Sequence, residues 1–305
     1  MSNNPRSILA QHAKTTKLLG VDFLPIGTPP DIGFTAEPDP TPDPTPDPKA
    51  EPSRPEFDKP DSIIESKPVH DFAPKPVDPS PNFSMDAMNT MDPSEIRAAY
   101  ESHPDPQSKL DALRDKYISD APHARFNTTF KNIVFGEGSP TADLMFVGEA
   151  PGQNEDETGR PFVGRAGELL DKMIGAMGLS RESVYIANVL KTRPPNNATP
   201  TPEQAHLCAP YLAEQIRIIS PKVIVALGLP STHLLLNTTK PMRSLRGEFY
   251  PFPADTQTAF AGLPAIELMP TYHPAFLLRA YTEDNRRKVW SDLTKVMDKL
   301  GLSKP

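Results

Sequence analysis

The spacing of apolar residues changes near residue 131. Beyond it, short runs of consecutive apolar residues, typical of buried strands, alternate with stretches whose apolar positions recur every three to four residues, as in amphipathic helices. The runs predict strands at 143–147, 184–189, 223–227 and 265–269, and the periodic stretches predict helices at 166–177, 202–219, 231–236 and 284–300. Alternation of this kind predicts an α/β fold, in which helices cover both faces of a parallel sheet.

The second of these helices has a clear start signal. Thr201 can cap it, Pro202 occupies the first helical position, and the Gln204 side chain can bond back to the cap. Two further helices are predicted before the first strand, one opening at Pro93 and one over 108–117.

The first third of the chain differs in composition. Residues 1–100 hold 19 of the 39 prolines, and their 9 Lys+Arg against 16 Asp+Glu carry the whole net charge of −7. A short amphipathic helix is predicted over 6–24, and the tract PDPTPDPTPDP follows at 38–48, where proline favours an extended, solvated chain. We interpret this tract as a spacer, with docking to a protein partner as the alternative. The sequence thus predicts a disordered Pro/acid-rich region at 1–105 and a globular domain at 106–305.

Charge and cysteine content narrow the class of protein. Residues 101–305 carry 23 Lys+Arg and 23 Asp+Glu, so the acidity of the whole chain does not argue against a nucleic-acid ligand. Cys208 is the single cysteine, so no internal disulfide can form. We find no stretch with the composition of a signal peptide or the length of a membrane span, and we expect a cytoplasmic protein without membrane contact.

Charged residues are concentrated directly after the first predicted strand. The segment 148–167, GEAPGQNEDETGRPFVGRAG, places four acidic residues among glycines and prolines and continues into Arg160 and Phe162. Loops that leave the carboxyl ends of strands are where α/β proteins position their ligands. This segment is therefore the first candidate for a functional site.

The other predicted strands end in comparable sequences. Asn188 and the loop KTRPPNN follow the second strand, GLP follows the third, and PTYHPAFLLR, which contains His273, follows the fourth. Each residue alone has an ordinary explanation: Asn188 as a turn or cap residue, His273 as a satisfied loop histidine, Phe162 as core and the acidic run as a solvated loop. Because parallel strands end at one edge of the sheet, convergence of all these groups favours a functional site.

The chemistry of such a set suits a nucleotide. An amide side chain can read the hydrogen-bonding edge of a pyrimidine, and an aromatic ring can stack on its face. A histidine can stabilise an oxygen that gains negative charge as a base leaves, and a carboxylate can orient water beside a cationic sugar. Rigid loops can press on phosphates, and an apolar wedge can fill the gap left by a flipped nucleotide.

Four motifs, in order along the chain, resemble those of the family 4 uracil-DNA glycosylases. They are VFGEG at 134–138, GEAPGQNEDETGRPFVGRAG at 148–167, YIANVLKTRPPNN at 185–197 and YHPAFLLR at 272–279. The resemblance extends over about residues 110–300 and implies a three-layer α/β/α sandwich with a four-stranded parallel central sheet. It also implies a monofunctional DNA glycosylase of base excision repair, which hydrolyses the bond between uracil and deoxyribose and leaves an abasic site.

The resemblance assigns roles by position. It implies catalytic roles for Glu149, Glu155, Asn197 and His273, with the glutamates managing water and sugar and the histidine contacting a uracil oxygen. It implies that Phe162 stacks on uracil and that Asn188 reads its edge. Contacts to DNA are expected from Arg160, Pro194, Phe276, Leu277 and Arg279.

The cofactor of the family is not expected in this chain. Family 4 enzymes usually hold a [4Fe–4S] cluster on four cysteines, and the corresponding positions here fall near Ala121 and Ala124, at Thr192 and at Cys208. A single thiolate cannot hold a cluster that needs four ligands. We therefore expect no cluster and no other metal, with ordinary packing in its place.

Two alternatives to an active uracil-DNA glycosylase stay open. One is an inactive module of the same fold that binds damaged DNA, and the other is a glycosylase for a different deaminated base, such as hypoxanthine or xanthine. Retention of Glu149, Asn188 and His273 favours the active enzyme, with uracil-containing DNA as its partner.

Overall fold

The computed structural model describes residues 92–253 and 258–303, so the predicted helix at 6–24 and the Pro/acid tract at 38–48 lie outside it. The strands are β1 (Glu137–Gly138), β2 (Leu144–Gly148), β3 (Tyr185–Asn188), β4 (Val223–Leu227), β5 (Tyr250–Phe252) and β6 (Ile266–Thr271). The helices are α1 (Pro93–Ala98), α2 (Pro106–Asp120), α3 (Gln153–Thr158), α4 (Arg165–Ala176), α5 (Pro202–Ile219), α6 (Leu229–Leu236), α7 (Met242–Leu245), α8 (Pro274–Arg279) and α9 (Glu283–Leu300). Single 3-10 turns lie at Pro122–Arg125, Pro195–Asn197 and Thr258–Phe260.

The strands form one sheet in the order β1-β3-β2-β4-β6-β5. Its four central strands, β3, β2, β4 and β6, are parallel, as the alternation of strands and helices predicts. The edge strands β1 and β5 are antiparallel to their neighbours, and the sequence analysis missed both. They are two and three residues long, too short for an alternating pattern to appear.

Alternate residues of β2 face opposite layers, which confirms the three-layer arrangement. Met145 and Val147 pack in a cluster that contains residues of α1, α2 and α5, whereas Leu144 and Phe146 pack with residues of α4 and α9. All four are almost fully buried. Burial of each such side chain contributes about 1.5–3 kcal/mol, so both faces of the sheet are strongly held.

The first two helices pack on α5 and extend the compact part of the chain toward its amino terminus. Asp92 caps α1 by accepting a hydrogen bond from the Ser94 amide at 2.8 Å, and Ile96 is fully buried. Arg97 forms an ion pair of 2.9 Å with Glu214 of α5, whose side chain is buried. Within the described residues, the packed core already includes α1, and the domain boundary at residue 106 stays a prediction.

The predicted start of α5 is confirmed in detail. The Thr201 hydroxyl accepts from the Gln204 amide at 3.4 Å, and the Gln204 side chain accepts from the Thr201 amide at 3.0 Å. Helix α3, in contrast, was predicted as a loop. Its sequence, QNEDET, has no apolar stripe, and Glu155 starts it by accepting from the Gly152 amide at 3.1 Å.

Candidate active site at the carboxyl edge of the sheet

The loops that leave β2, β3, β4 and β6 surround one cavity of about 650 Å³. Most of the site residues predicted from the sequence line it, namely Glu149, Glu155, Phe162, Asn188, Pro194, Asn197, His273, Phe276 and Arg279. The convergence expected from the parallel sheet is therefore present in the structure.

Phe162 lies in a tightly constrained turn and forms one wall of the cavity. Its backbone has a φ of +51°, a conformation that is costly for a bulky residue, and its side chain is only 4% exposed. Two glycines make room for it: a Cβ at Gly148 would lie 2.5 Å from the ring, and a Cβ at Gly167 would collide with the Phe162 carbonyl. Arg181 fixes the turn by donating to the Phe162 carbonyl at 3.1 Å and to the Pro161 carbonyl.

The Glu155 carboxylate holds the loop between α3 and α4. It accepts backbone hydrogen bonds from Val163 and Gly164, both at 2.9 Å, as well as from Gly152. Three backbone donors occupy its two oxygens, and such charge-assisted bonds are strong. Glu155 thus fixes the position of the turn that carries Phe162.

Glu149, the first residue after β2, is a different kind of carboxylate. Burial raises its pKa, while the Thr199 hydroxyl and the positive charge of Arg279 act in the opposite direction. Its backbone carbonyl accepts from the Leu190 amide at 3.1 Å, which ties the β2 exit to the β3 exit. A partly desolvated carboxylate that faces a cavity is suited to orient a water molecule.

Asn188, the last residue of β3, lines the cavity and carries an unused acceptor. The residue is 1% exposed, and its Oδ1 atom has no hydrogen-bond partner among the described residues. A Cβ at Gly148 would collide with this atom, so the adjacent glycine leaves the space that the amide oxygen needs. A buried acceptor without a partner costs about 1–3 kcal/mol, which a ligand N–H donor would recover.

His273 caps α8 and is fixed in one tautomer. Its Nδ1 atom accepts a hydrogen bond from the Ala275 amide at 3.0 Å, so the neutral ring carries its proton on Nε2. Burial, assisted by Arg279, lowers the pKa of His273 to about 4, although Glu155 opposes the shift. The imidazole is therefore neutral at pH 7. Its ring lies 5.5 Å from the Phe162 ring, with an angle of 29° between the planes.

The cavity mouth carries exposed polar and apolar groups. Asn197 has a φ of +53°, and its side chain accepts from Arg193 at 2.8 Å. Arg279 is exposed on the last turn of α8. The half-buried ring of Phe276 lies on the same helix, 4.7 Å from that of Tyr272.

Two predicted DNA contacts lie away from the cavity. Leu277 is 2% exposed and belongs to the core cluster that contains residues of α4 and α9, because α8 turns this side chain inward. Arg160 is exposed and bonds Glu137 through two contacts of 2.7 Å. In this structure Leu277 is a core residue, and Arg160 is part of a surface ion pair.

Sequence reasoning missed three residues that shape the cavity. Arg181 fixes the Phe162 turn, Thr199 contacts Glu149, and Leu229 contributes an exposed apolar wall. Arg181 lies between Ser180 and Glu182 in a turn that reads as ordinary surface, and nothing in the local pattern distinguishes it.

The positions matched to cluster cysteines surround a buried aromatic group. We call Tyr117, His123, Thr192 and Cys208 the aromatic plug. The rings of Tyr117 and His123 stack with centroids 5.4 Å apart, and the edge of Tyr211 meets Tyr117 at 5.0 Å. Burial raises the pKa of Cys208 to about 11, with Lys191 and Tyr117 opposing the shift, so the thiol is protonated at pH 7.

This donor set does not fit an iron–sulfur cluster. Such a cluster needs four thiolates or histidines, and here Cys208 is the single thiol beside a hydroxyl and two aromatic rings. Within residues 92–253 and 258–303, no group of three or more His, Cys, Asp or Glu side chains could hold a metal ion. In the same residues, no helix is long and apolar enough to cross a bilayer.

Comparison with known proteins gives consistent matches. The model of the uracil DNA glycosylase superfamily matches residues 135–294. The type-4 uracil-DNA glycosylase of Thermotoga maritima is 46% identical over 165 residues, which are 54% of this chain and 81% of that protein. The type-4 uracil-DNA glycosylase of Sulfurisphaera tokodaii is 44% identical over 172 residues, 55% of this chain and 74% of that protein. A type-5 uracil-DNA glycosylase of Pyrobaculum aerophilum is 34% identical over 106 residues, 30% of this chain and 46% of that protein.

Proposed function

The chain belongs to the uracil DNA glycosylase superfamily, and we propose that it hydrolyses the N-glycosidic bond of deoxyuridine in DNA, releasing uracil and leaving an abasic site. The observation that carries this proposal is the cavity at the strand ends, where a desolvated carboxylate, an unpartnered amide oxygen and a neutral imidazole face one space.

Recognition of the base is assigned to Phe162 and Asn188. A uracil flipped out of the DNA would stack on the Phe162 ring, and Asn188 Oδ1 would accept the hydrogen bond of the uracil N3–H group. Cytosine has no hydrogen at N3 in its neutral form and would leave this buried acceptor without a partner. Discrimination of this kind is strong because the penalty falls on a buried polar atom.

Bond cleavage is assigned to His273 and Glu149. As the bond between C1′ and N1 breaks, its electrons pass to the uracil ring, and the His273 Nε2–H would donate to the uracil O2 as that oxygen gains negative charge. Glu149 would orient a water molecule toward C1′ and stabilise the cationic sugar. Water supplies the hydroxyl of the abasic sugar, and its proton neutralises the uracil anion.

The remaining predicted residues would serve the approach of DNA and the shape of the pocket. Asn197 and Pro194 would lie beside the sugar, and Phe276 and Arg279 would contact the strand at the mouth. Glu155 is assigned a positioning role, since its oxygens already accept from three backbone amides.

We further propose that the enzyme works without an iron–sulfur cluster. The aromatic plug supports this, because stacked rings can stabilise this region by packing, whereas a cluster would stabilise it by ligation. Protein purified without oxygen should contain neither iron nor acid-labile sulfide and should lack visible absorption. Stoichiometric iron and sulfide would overturn this part of the proposal.

The substrate assignment also implies a place of action. An enzyme of this class would act on chromosomal DNA, and we propose the cytoplasm as its location. The Pro/Asp tract would act as a spacer, with docking to a protein partner as the alternative; in either case removal of residues 1–85 should leave cleavage of naked DNA unchanged.

The decisive assay uses labelled oligonucleotides that carry a single uracil, in single- and double-stranded form. We expect alkali-labile sites at the uracil and no strand breaks before alkali, because the proposed reaction is hydrolysis alone. Matched DNA with thymine or cytosine is the control. Binding of uracil DNA without cleavage would instead identify a damage-binding module, and cleavage at hypoxanthine or xanthine alone would change the base.

A further inference from the structure

Lys191 is a completely buried lysine directly behind the proposed uracil pocket. Its side chain is 0% exposed, and its Nζ atom donates to the Asn188 carbonyl at 2.7 Å and to Gln215 Oε1 at 2.5 Å. The same nitrogen lies 5.3 Å from the centre of the Phe135 ring. Among the described residues no carboxylate pairs with it, so two carbonyl oxygens and an aromatic face are its partners.

Such a placement costs free energy, which the hydrogen bonds of the ammonium group must offset. Burial of an unpaired charge is costly, and here burial lowers the pKa of Lys191 to about 7. A methionine or leucine would fill the same space without that cost. The feature that a lysine adds is a set of strong donors at the end of β3.

The sheet leaves the Asn188 carbonyl without a strand partner on the β1 side. The antiparallel strand β1 pairs with Tyr185 and Ile186 only, so the ladder stops before Asn188. Lys191 supplies the missing donor from the following turn. Gln215 extends the connection, because its Nε2 atom donates to the Phe135 carbonyl at 2.9 Å and lies 3.4 Å from the Tyr185 hydroxyl.

The same turn is joined to the other proposed catalytic loop. The Val189 amide donates to the Gly148 carbonyl at 3.0 Å, and the Leu190 amide donates to the Glu149 carbonyl at 3.1 Å. A substitution of Lys191 would therefore displace Asn188 first, because Lys191 contacts it directly, and would affect Glu149 only indirectly.

We propose that Lys191, held in place by Gln215, is a positioning residue that fixes Asn188 for recognition of the uracil N3–H group. This inference rests on the proposed function. Lys191 does not touch the base; it holds the backbone from which the reading amide projects, at a strand end that lacks a neighbouring strand on the β1 side.

The test is a double-mutant cycle between Lys191→Met and Asn188→Ala. The quantity compared is kcat/KM for uracil release. Alone, Lys191→Met should lower kcat/KM by about 10- to 100-fold, as expected when a buried acceptor loses its donor. In the Asn188→Ala background the same change should have little further effect, because the residue through which Lys191 acts is absent. Equal losses in both backgrounds would overturn the proposal.

Two controls separate positioning from simple loss of structure. Affinity for DNA that already contains an abasic site should stay within about twofold in Lys191→Met, since that ligand has no base for Asn188 to read. Thr192→Val, a matched change at the next buried residue, should keep both activity and discrimination against cytosine. A parallel loss of abasic-site binding would indicate a structural role and overturn the proposal.

If Lys191→Met does not fold, Gln215→Met provides the second variant. It removes one partner of the ammonium group and keeps the other, so it should lower kcat/KM in the same direction by a smaller factor. No change in this variant would contradict the inference. Failure of the wild-type chain to release uracil would instead defeat the proposed function itself, so the two failures are distinguishable.

Discussion

The proposed uracil pocket and the aromatic plug both bury polar atoms that lack hydrogen-bond partners of good geometry. In the pocket, the unpartnered atom is Asn188 Oδ1, which belongs to a residue that lines a cavity. In the plug, the unpartnered atoms are the Tyr117 hydroxyl, His123 Nδ1 and the Thr192 hydroxyl, which lie among packed aromatic rings. An unpartnered polar atom beside a cavity points to a ligand, whereas one enclosed by rings is a cost of burying polar groups in a packed core. The first region should therefore respond to mutation in activity and the second in stability.

The largest effect is expected from Tyr117→Ala in the plug. Removal of a fully buried ring that contacts His123, Phe135 and Tyr211 should lower the free energy of unfolding by about 3–5 kcal/mol. Tyr117→Phe keeps the ring and removes the unpartnered hydroxyl, so its stability should match or exceed that of the wild type. Urea denaturation of both variants checks this. A greater loss in Tyr117→Phe than in Tyr117→Ala would show that the hydroxyl, and not the ring, is the important group.

His273→Ala should have the next largest effect, and it should appear in the rate. Loss of a donor aimed at a developing negative charge lowers kcat by about 100- to 1000-fold, and single-turnover uracil release measures this. Because His273 also caps α8, His273→Asp is the matched control: it keeps an acceptor for the Ala275 amide but has no N–H to donate. Recovery of activity in His273→Asp would mean that catalysis depends on the helix cap and not on the Nε2–H donor.

Gly148→Ala should follow, with a loss of about 100-fold in kcat/KM, since displacement of a reacting group by about 1 Å has effects of this size. A Cβ at this position would collide with Asn188 Oδ1 and lie 2.5 Å from the Phe162 ring. It would therefore displace both residues that are proposed to bind the base. Gly175→Ala, in α4, is the control, because no atom lies within 4 Å of the added Cβ. Similar kcat/KM values for Gly148→Ala and Gly175→Ala would show that the close approach of Gly148 to Asn188 and Phe162 does not matter for activity.

The smallest effect concerns the pH dependence of stability. Because the pKa of His273 falls from 6.5 to about 4 on folding, the unfolded chain binds more protons below pH 6.5, and stability is lost as the pH falls from 6.5 toward 4. At pH 5.5 the loss from this group is about 1.2 kcal/mol relative to pH 7. His273→Gln should lack this component when urea denaturation is repeated at both pH values. An identical pH dependence in the two proteins would contradict the neutral, half-buried imidazole.

The extent to which the sequence predicts the structure differs between these regions. The central strands and α5 could be predicted, because consecutive apolar residues and a capping box are local signals. Helix α3 could not be predicted, because it has no apolar face. Its start depends on the Glu155 carboxylate, which also accepts hydrogen bonds from Val163 and Gly164 further along the chain. The inward orientation of Leu277 was missed for a related reason: within the six residues of α8, only tertiary packing, chiefly against α4, decides which side chain faces the core.

By itself the sequence determined the α/β class, the family and the identity of the groups at the strand ends, because these depend on local periodicity and on motifs of fixed spacing. The tertiary structure alone decided how those groups are used. It left Asn188 Oδ1 without a partner, fixed the His273 tautomer, committed Glu155 to the backbone and placed Lys191 behind the pocket. The physical reason is that protonation, tautomer and hydrogen-bond satisfaction depend on burial and on partners distant in sequence, which a linear pattern of residues does not record.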